Sequence, residues 1–134
     1  MSNLPTVQAI YQAFGQGDVP TILGHLADDV AWEQWADNRG QTAGVAHLAL
    51  RTGPAGAAEF FGIIGAFEFK DFQVLSLMEG GNQVAAETVI EAVLPNGNVL
   101  SDEELHLWTF DADGKVCRFR HYVDTAKHIA AAQT

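Results

Sequence analysis

Residues 103–126 read EELHLWTFDADGKVCRFRHYVDTA. Two runs of alternating apolar and polar side chains flank a turn at Asp113 and Gly114, so the stretch predicts an antiparallel hairpin. The first arm is predicted to begin at Val99 and the second to run from Val116 to Asp124. Successive strand side chains point to opposite faces, which places Glu104, His106 and Trp108 together and Leu105 and Leu107 behind them. On the second arm Phe119, His121 and Val123 oppose Arg120, Tyr122 and Asp124. Only one of these sets can point inward over a regular stretch, so His121 and Asp124 compete for the interior. A bulge or terminal twist near Tyr122 would reconcile them.

Outward from this hairpin, Gly80-Gly81-Asn82 and Pro95-Asn96-Gly97 mark two further reversals and predict strands over 68–78 and 83–94. Upstream, Val7, Ile10, Tyr11 and Phe14 recur at helical spacing between Pro5 and Gly15. Asp18, with Pro20 behind it, caps a second helix predicted to reach about Leu26. Residues 30–35 predict a short strand with Val30, Trp32 and Gln34 on one face, and 55–65 a third helix. Residues 36–54, with Gly40, Gly44 and Gly53 among polar side chains, are predicted to form a long loop. A short helix is expected to close the chain through Ala132. Helices followed by antiparallel strands specify a single α+β domain across residues 1–134.

The composition is 48% apolar, enough for one core. Seventeen acidic against seven basic residues give a net charge of -10, which opposes nucleic acid and anionic membrane as partners. Cys117 is the single cysteine, so no disulfide within the chain is possible. Met1–Thr6 shows no basic-then-apolar leader, and a cytoplasmic location is expected. HxxxH, HxE and CxxC spacings are missing, as are a phosphate loop, a nucleotide fingerprint and a Ser-His-Asp motif. The expectation is therefore no metal and no cofactor.

The element order, Gly17-Asp18 before the second helix, Asp28-Asp29-Val30 with Trp32, and the 103–126 stretch ending in Tyr-x-Asp together resemble one family. It is the SnoaL-like, nuclear transport factor 2-like superfamily, which includes ketosteroid isomerase, limonene epoxide hydrolase, scytalone dehydratase and SnoaL-type polyketide cyclases. The resemblance covers nearly the whole chain except about 36–53. It implies a cone-shaped α+β barrel, with a curved and mainly antiparallel sheet wrapped around N-terminal helices. It also implies a pocket for a small apolar organic ligand and a homodimer formed through the outer sheet face. Because this scaffold serves enzymes, binding proteins and adaptors, it does not fix a reaction.

By that resemblance Asp124 stands where SnoaL-type cyclases carry an acid/base, although a residue there can equally cap the last helix. His106 stands where ketosteroid isomerases hold a protonated acid, and Glu104 on the same face can orient it; the other reading is a polar sheet surface. Matching to ketosteroid isomerases favours Phe119 and His121 inside, with His121 as an alternate proton carrier. Trp32, Phe14, Phe61, Trp108 and Phe119 are expected as pocket walls, with Tyr122 as a further binding residue. Gln34 and Ile10 occupy the places of the isomerase carboxylate and first-helix tyrosine. A glutamine cannot be a general base, so that isomerisation is not expected, though its amide can position a ligand. His25, His47 and His128 are expected to be solvated, and Glu87 and Glu91 to face outward. The expected function is a cofactor-independent isomerase, cyclase, dehydratase or hydrolase acting on a small apolar carbonyl or hydroxyl compound. The alternative is a non-catalytic ligand-binding or dimeric interaction module.

Overall fold

The alternation in the second half of the chain organises the computed structural model, which describes residues 2–33, 35 and 37–133. In β4 (Gln83–Val93) the even-numbered Val84, Ala86, Thr88, Ile90 and Ala92 are buried, while Glu87 and Glu91 face solvent. In β5 (Val99–Phe110) Leu100, Asp102, Glu104, His106, Trp108 and Phe110 are all buried. β3 (Glu68–Gly80) pairs antiparallel with β4, and β6 (Val116–Tyr122) antiparallel with β5. β1 (Leu26–Glu33) joins β6 in parallel, and the two-residue β2 (Arg51–Thr52) joins β1. The result is one six-stranded sheet in the order β2-β1-β6-β5-β4-β3.

Helices cover the inner face of this sheet. α1 (Leu4–Gly15) buries Val7, Ile10 and Ala13, and α4 (Gly53–Ile64) buries Ala57, Phe60, Phe61 and Ile64. They meet Trp32, Trp108, Phe110, Val116 and Phe119 in the main core. α2 (Val19–Gly24) follows α1 tightly, its first turn capped by Asp18, which accepts from Thr21 N. α5 (Thr125–Ala132) docks through Ala131 on Ile90, Leu94 and Leu100, a second apolar cluster at the other end of the sheet. Among the described residues no helix is long and apolar enough to cross a membrane.

Several boundaries differ from the sequence expectation. α2 stops at Gly24 and β1 begins at Leu26, because Leu26 pairs with Val116 before the register slips between Leu26 and Ala31. That slip leaves Asp28 and Asp29 exposed in succession and hides the strand's period. The expected loop over 36–54 contains structure: α3 (Arg39–Thr42), capped by Asn38, then a 3-10 turn over Ala46–Leu48, then β2. Gly53, at φ 77, starts α4 earlier than expected, with the Asp28 carbonyl oxygen 3.3 Å from where a Cβ would stand. Finally β6 ends at Tyr122 rather than Asp124, because the chain turns there into α5.

Candidate functional site

Between the inner sheet face, α1 and α4 lies a cavity of about 70 Å³ with an almost wholly apolar lining. A buried water needs roughly 10–15 Å³ on this measure, so the space suits a small organic group. Its walls are aromatic. Trp32 stacks on Phe119 with ring centroids 4.3 Å apart, and Trp108 packs on the same ring at 4.5 Å. Phe14 closes the α1 side, 5.1 Å from Phe72 and 6.2 Å from Phe61. An outer groove shares Tyr11, Phe14, Phe61, Phe69 and Phe72 with the cavity, so these rings border both spaces.

One polar cluster interrupts the apolar wall. Glu104, on the inward face of β5, accepts from His121 Nε2 at 2.7 Å, from His128 Nε2 at 2.9 Å and more weakly from His106 Nε2 at 3.4 Å. His121 lies directly across from His106 in the β5–β6 ladder, which is why one carboxylate reaches both. His128 comes from α5 and also donates to Asp102 Oδ2 at 2.9 Å. Its Nδ1 faces His47 Nε2 at 2.8 Å. At the other end His106 Nδ1 meets the Tyr11 hydroxyl at 2.6 Å, and that hydroxyl accepts from Trp108 Nε1 at 3.0 Å. All of the imidazoles and carboxylates in this hydrogen-bonded cluster are buried.

Charge follows from the partners. Burial alone would lower the His128 pKa, but its hydrogen bonds to Asp102 and Glu104 raise it to about 9, so the ring is a cation at neutral pH. Burial and the His128 charge push His47 down to about 3. His128 Nδ1–H therefore donates, His47 Nε2 accepts, and the His47 proton sits on Nδ1. Burial would raise the Glu104 pKa, but the close approach of His121 and the hydrogen bonds from His106, His121 and His128 hold it well below the usual carboxylate range. Burial keeps His106 neutral against the pull of Glu104, so its Nε2–H donates to Glu104 and its Nδ1 accepts from Tyr11. The Tyr11 hydroxyl is held in its protonated form by burial.

Two sets, Glu104 with His106 and His121, and Asp102 with Glu104 and His128, bring ligand-type atoms within 4.8 Å of one another. Such spacing can hold a divalent ion. A ligating histidine usually donates its second ring N–H to an acceptor; in the first set His121 Nδ1 meets none among the described residues, whereas in the second His128 Nδ1 meets His47. The close contacts are accounted for as hydrogen bonds with assigned donors.

Comparison with known proteins agrees with this architecture. The family model described as a SnoaL-like domain matches residues 7–119. The chain belongs to this SnoaL-like family. A nuclear transport factor 2-like protein of unknown function from Burkholderia pseudomallei is 23% identical, with all of both chains covered and a TM-score of 0.82. TerC, co-crystallised with polyporic acid, is 22% identical over 96% of both chains, with a TM-score of 0.78. A candidate polyketide cyclase from Xanthomonas campestris is 26% identical over 98% of this chain and 96% of its own, with a TM-score of 0.71. A search of curated proteins found no match.

In this SnoaL-like domain the cavity gathers Trp32, Phe14, Phe61, Glu104, His106, Trp108, Phe119 and His121, all named by sequence. Asp124 is not among them. It is exposed, and its Oδ1 accepts from Ala126 N and Lys127 N as the cap of α5. With β6 ending at Tyr122, the competition between His121 and Asp124 is decided for His121. Asp124→Ala should lower stability by about 1 kcal/mol, as loss of an N-cap does, without changing ligand affinity of the cavity; urea unfolding and titration calorimetry check both. Tyr122 also points away, lining an outer-face groove with Trp35 and Leu105. Gln34 lies outside the described residues. His47 and His128, expected in solvent, are 6% and 1% exposed because α5 and the 3-10 turn fold over the sheet end. Asp102 and Tyr11 were likewise missed as partners in the cluster.

Proposed function

We propose that this SnoaL-like domain binds a small, largely apolar carbonyl or hydroxyl compound and moves a proton on it without metal or cofactor. That is the chemistry of an isomerase, cyclase, dehydratase or hydrolase. His121 is the proton carrier. The observation that carries this reading is its 2.7 Å hydrogen bond from Nε2 to the buried Glu104, which orients the ring on the cavity wall and leaves Nδ1 for a ligand. His106, engaged at both nitrogens, acts as a positioning residue. The likeness to a candidate polyketide cyclase and to a protein crystallised with polyporic acid supports a pocket for cyclic oxygenated compounds.

A second reading is a non-catalytic binder, favoured by how far the polar cluster satisfies itself. Thermal shifts against small lactones, enones, epoxides and polyketide fragments, followed by assays of the hits, separate the two. The catalytic reading expects turnover that falls at least roughly 100-fold in His121→Phe while ligand still binds. Binding without turnover in the wild type leaves the binder. We also propose a homodimer through the outer sheet face, where Leu75 and Leu105 are 53% and 36% exposed. Sedimentation at twice the 14.4 kDa chain mass is the expected result.

A further inference from the structure

Two buried polar atoms of cavity-lining residues take no part in these hydrogen bonds. Trp32 Nε1 and His121 Nδ1 have no hydrogen-bond partner among the described residues, although the two residues are only 3% and 8% exposed. Leaving such a group buried and unpaired costs roughly 1–3 kcal/mol, so two on residues that line one recess point to a common partner.

They are neighbours by construction. Trp32 pairs with Phe119 across β1 and β6, and His121 lies two residues further along β6 on the same face. Both rings pack on Phe119, with centroids at 4.3 and 5.8 Å, and on Phe60, at 5.5 and 6.2 Å. They also border a small recess of about 10 Å³ beside the main cavity, together with His47. The indole N–H can only donate, whereas Nδ1 of a neutral imidazole whose Nε2–H is given to Glu104 accepts.

We infer that Trp32 and His121 together select a hydroxyl group on the ligand, whose oxygen accepts from Trp32 Nε1–H and whose proton is given to His121 Nδ1. A ketone, ether or ester oxygen answers Trp32 alone and leaves the imidazole unpaired. A carboxylate or phosphate meets the Glu104 charge directly behind the ring. The ligand class is thus an uncharged alcohol, phenol or enol on a flat, apolar body that fits among Trp32, Phe60, Trp108 and Phe119. This inference rests on the proposed ligand pocket and narrows its carbonyl-or-hydroxyl compound to the hydroxyl.

The test compares phenol, anisole, benzaldehyde and toluene, which share one ring and differ in the group offered. Affinities come from NMR titration of the whole protein, followed at the indole N–H resonance assigned to Trp32 by its loss in Trp32→Phe. Phenol should bind at least roughly tenfold tighter than each of the other three and shift the Trp32 N–H signal. His121→Phe and Trp32→Phe should each reduce that preference to less than about threefold while toluene still binds. The wild-type comparison stands without the variants if either fails to fold. Equal affinity for phenol and toluene, or a preference for benzaldehyde or anisole, overturns the hydroxyl assignment and leaves the pocket intact. Failure of all four to bind overturns the pocket reading as well.

Discussion

Glu104→Ala is expected to lower the free energy of unfolding by about 3–5 kcal/mol, the usual loss when one member of a buried ion pair is removed. Glu104 is 5% exposed, and its carboxylate accepts from three imidazoles at once. Without it the His128 cation keeps only Asp102, and the Nε2–H groups of His106 and His121 lose their acceptor in an apolar wall. Each unanswered donor adds roughly 1–3 kcal/mol, so the loss is a large share of the ~5–15 kcal/mol that stabilises a domain of this kind. Glu103, the exposed neighbour on the opposite face, is the control, and Glu103→Ala should stay within about 0.5 kcal/mol of wild type. Urea unfolding followed by tryptophan fluorescence measures both. Adding His128→Ala to Glu104→Ala should cost less than the two single losses combined, because the cation that Glu104 neutralises is gone. A loss below about 1 kcal/mol for Glu104→Ala would mean that the carboxylate is not the hub of the cluster.

How much of this was legible in the chain varies with the range of the interaction. The hairpin over 99–122 could be read directly, since a period of two and an Asp-Gly turn are local signals. The shared face of Glu104, His106 and Trp108 followed from the same period. The identity of the inward face of β6 did not, because the register shifts between Thr109 and Phe110 and the strand ends where Asp124 caps α5. His128 sits in a helix of alanines and reads as solvated until α5 docks on Leu94 and Leu100, a contact no spacing encodes. Its place three residues before the buried Ala131 was the available hint. Asp102 could have been found by carrying the β5 alternation two residues further back. Tyr11 appeared in the apolar set of α1, but its hydroxyl meets His106 across 95 positions of sequence. β1 and the structured parts of 36–54 were obscured by the Asp28-Asp29 register slip and by very short elements.

Stability should peak near pH 6.5 and fall on both sides, with two histidines of one hydrogen bond setting the two limbs. His128 holds its proton up to about pH 9 in the folded state, whereas an unfolded histidine releases it near 6.5. The folded state therefore binds the extra proton between those values. This contribution is complete below pH 6.5 and is lost as pH rises through 9, roughly 3 kcal/mol in all. His47 behaves oppositely. Its folded pKa of about 3 means that the unfolded chain takes up a proton below pH 6.5 while the native ring does not, so stability is present above 6.5 and declines as the medium is acidified. Glu104, depressed by its imidazole partners, adds to the acid limb below the usual carboxylate range. The groups facing the pair are Asp102, Glu104, His121 and Arg51, and the single proton between His128 Nδ1 and His47 Nε2 ties the two titrations together. Melting temperatures from pH 4 to 10 should trace this curve. His128→Gln should flatten its alkaline limb and His47→Gln its acid limb, since glutamine keeps a hydrogen-bonding group but does not titrate. Equal stability at pH 6.5 and 9.5 would show that His128 is not a cation in the native state, and the charge assignment of the whole cluster would fall with it.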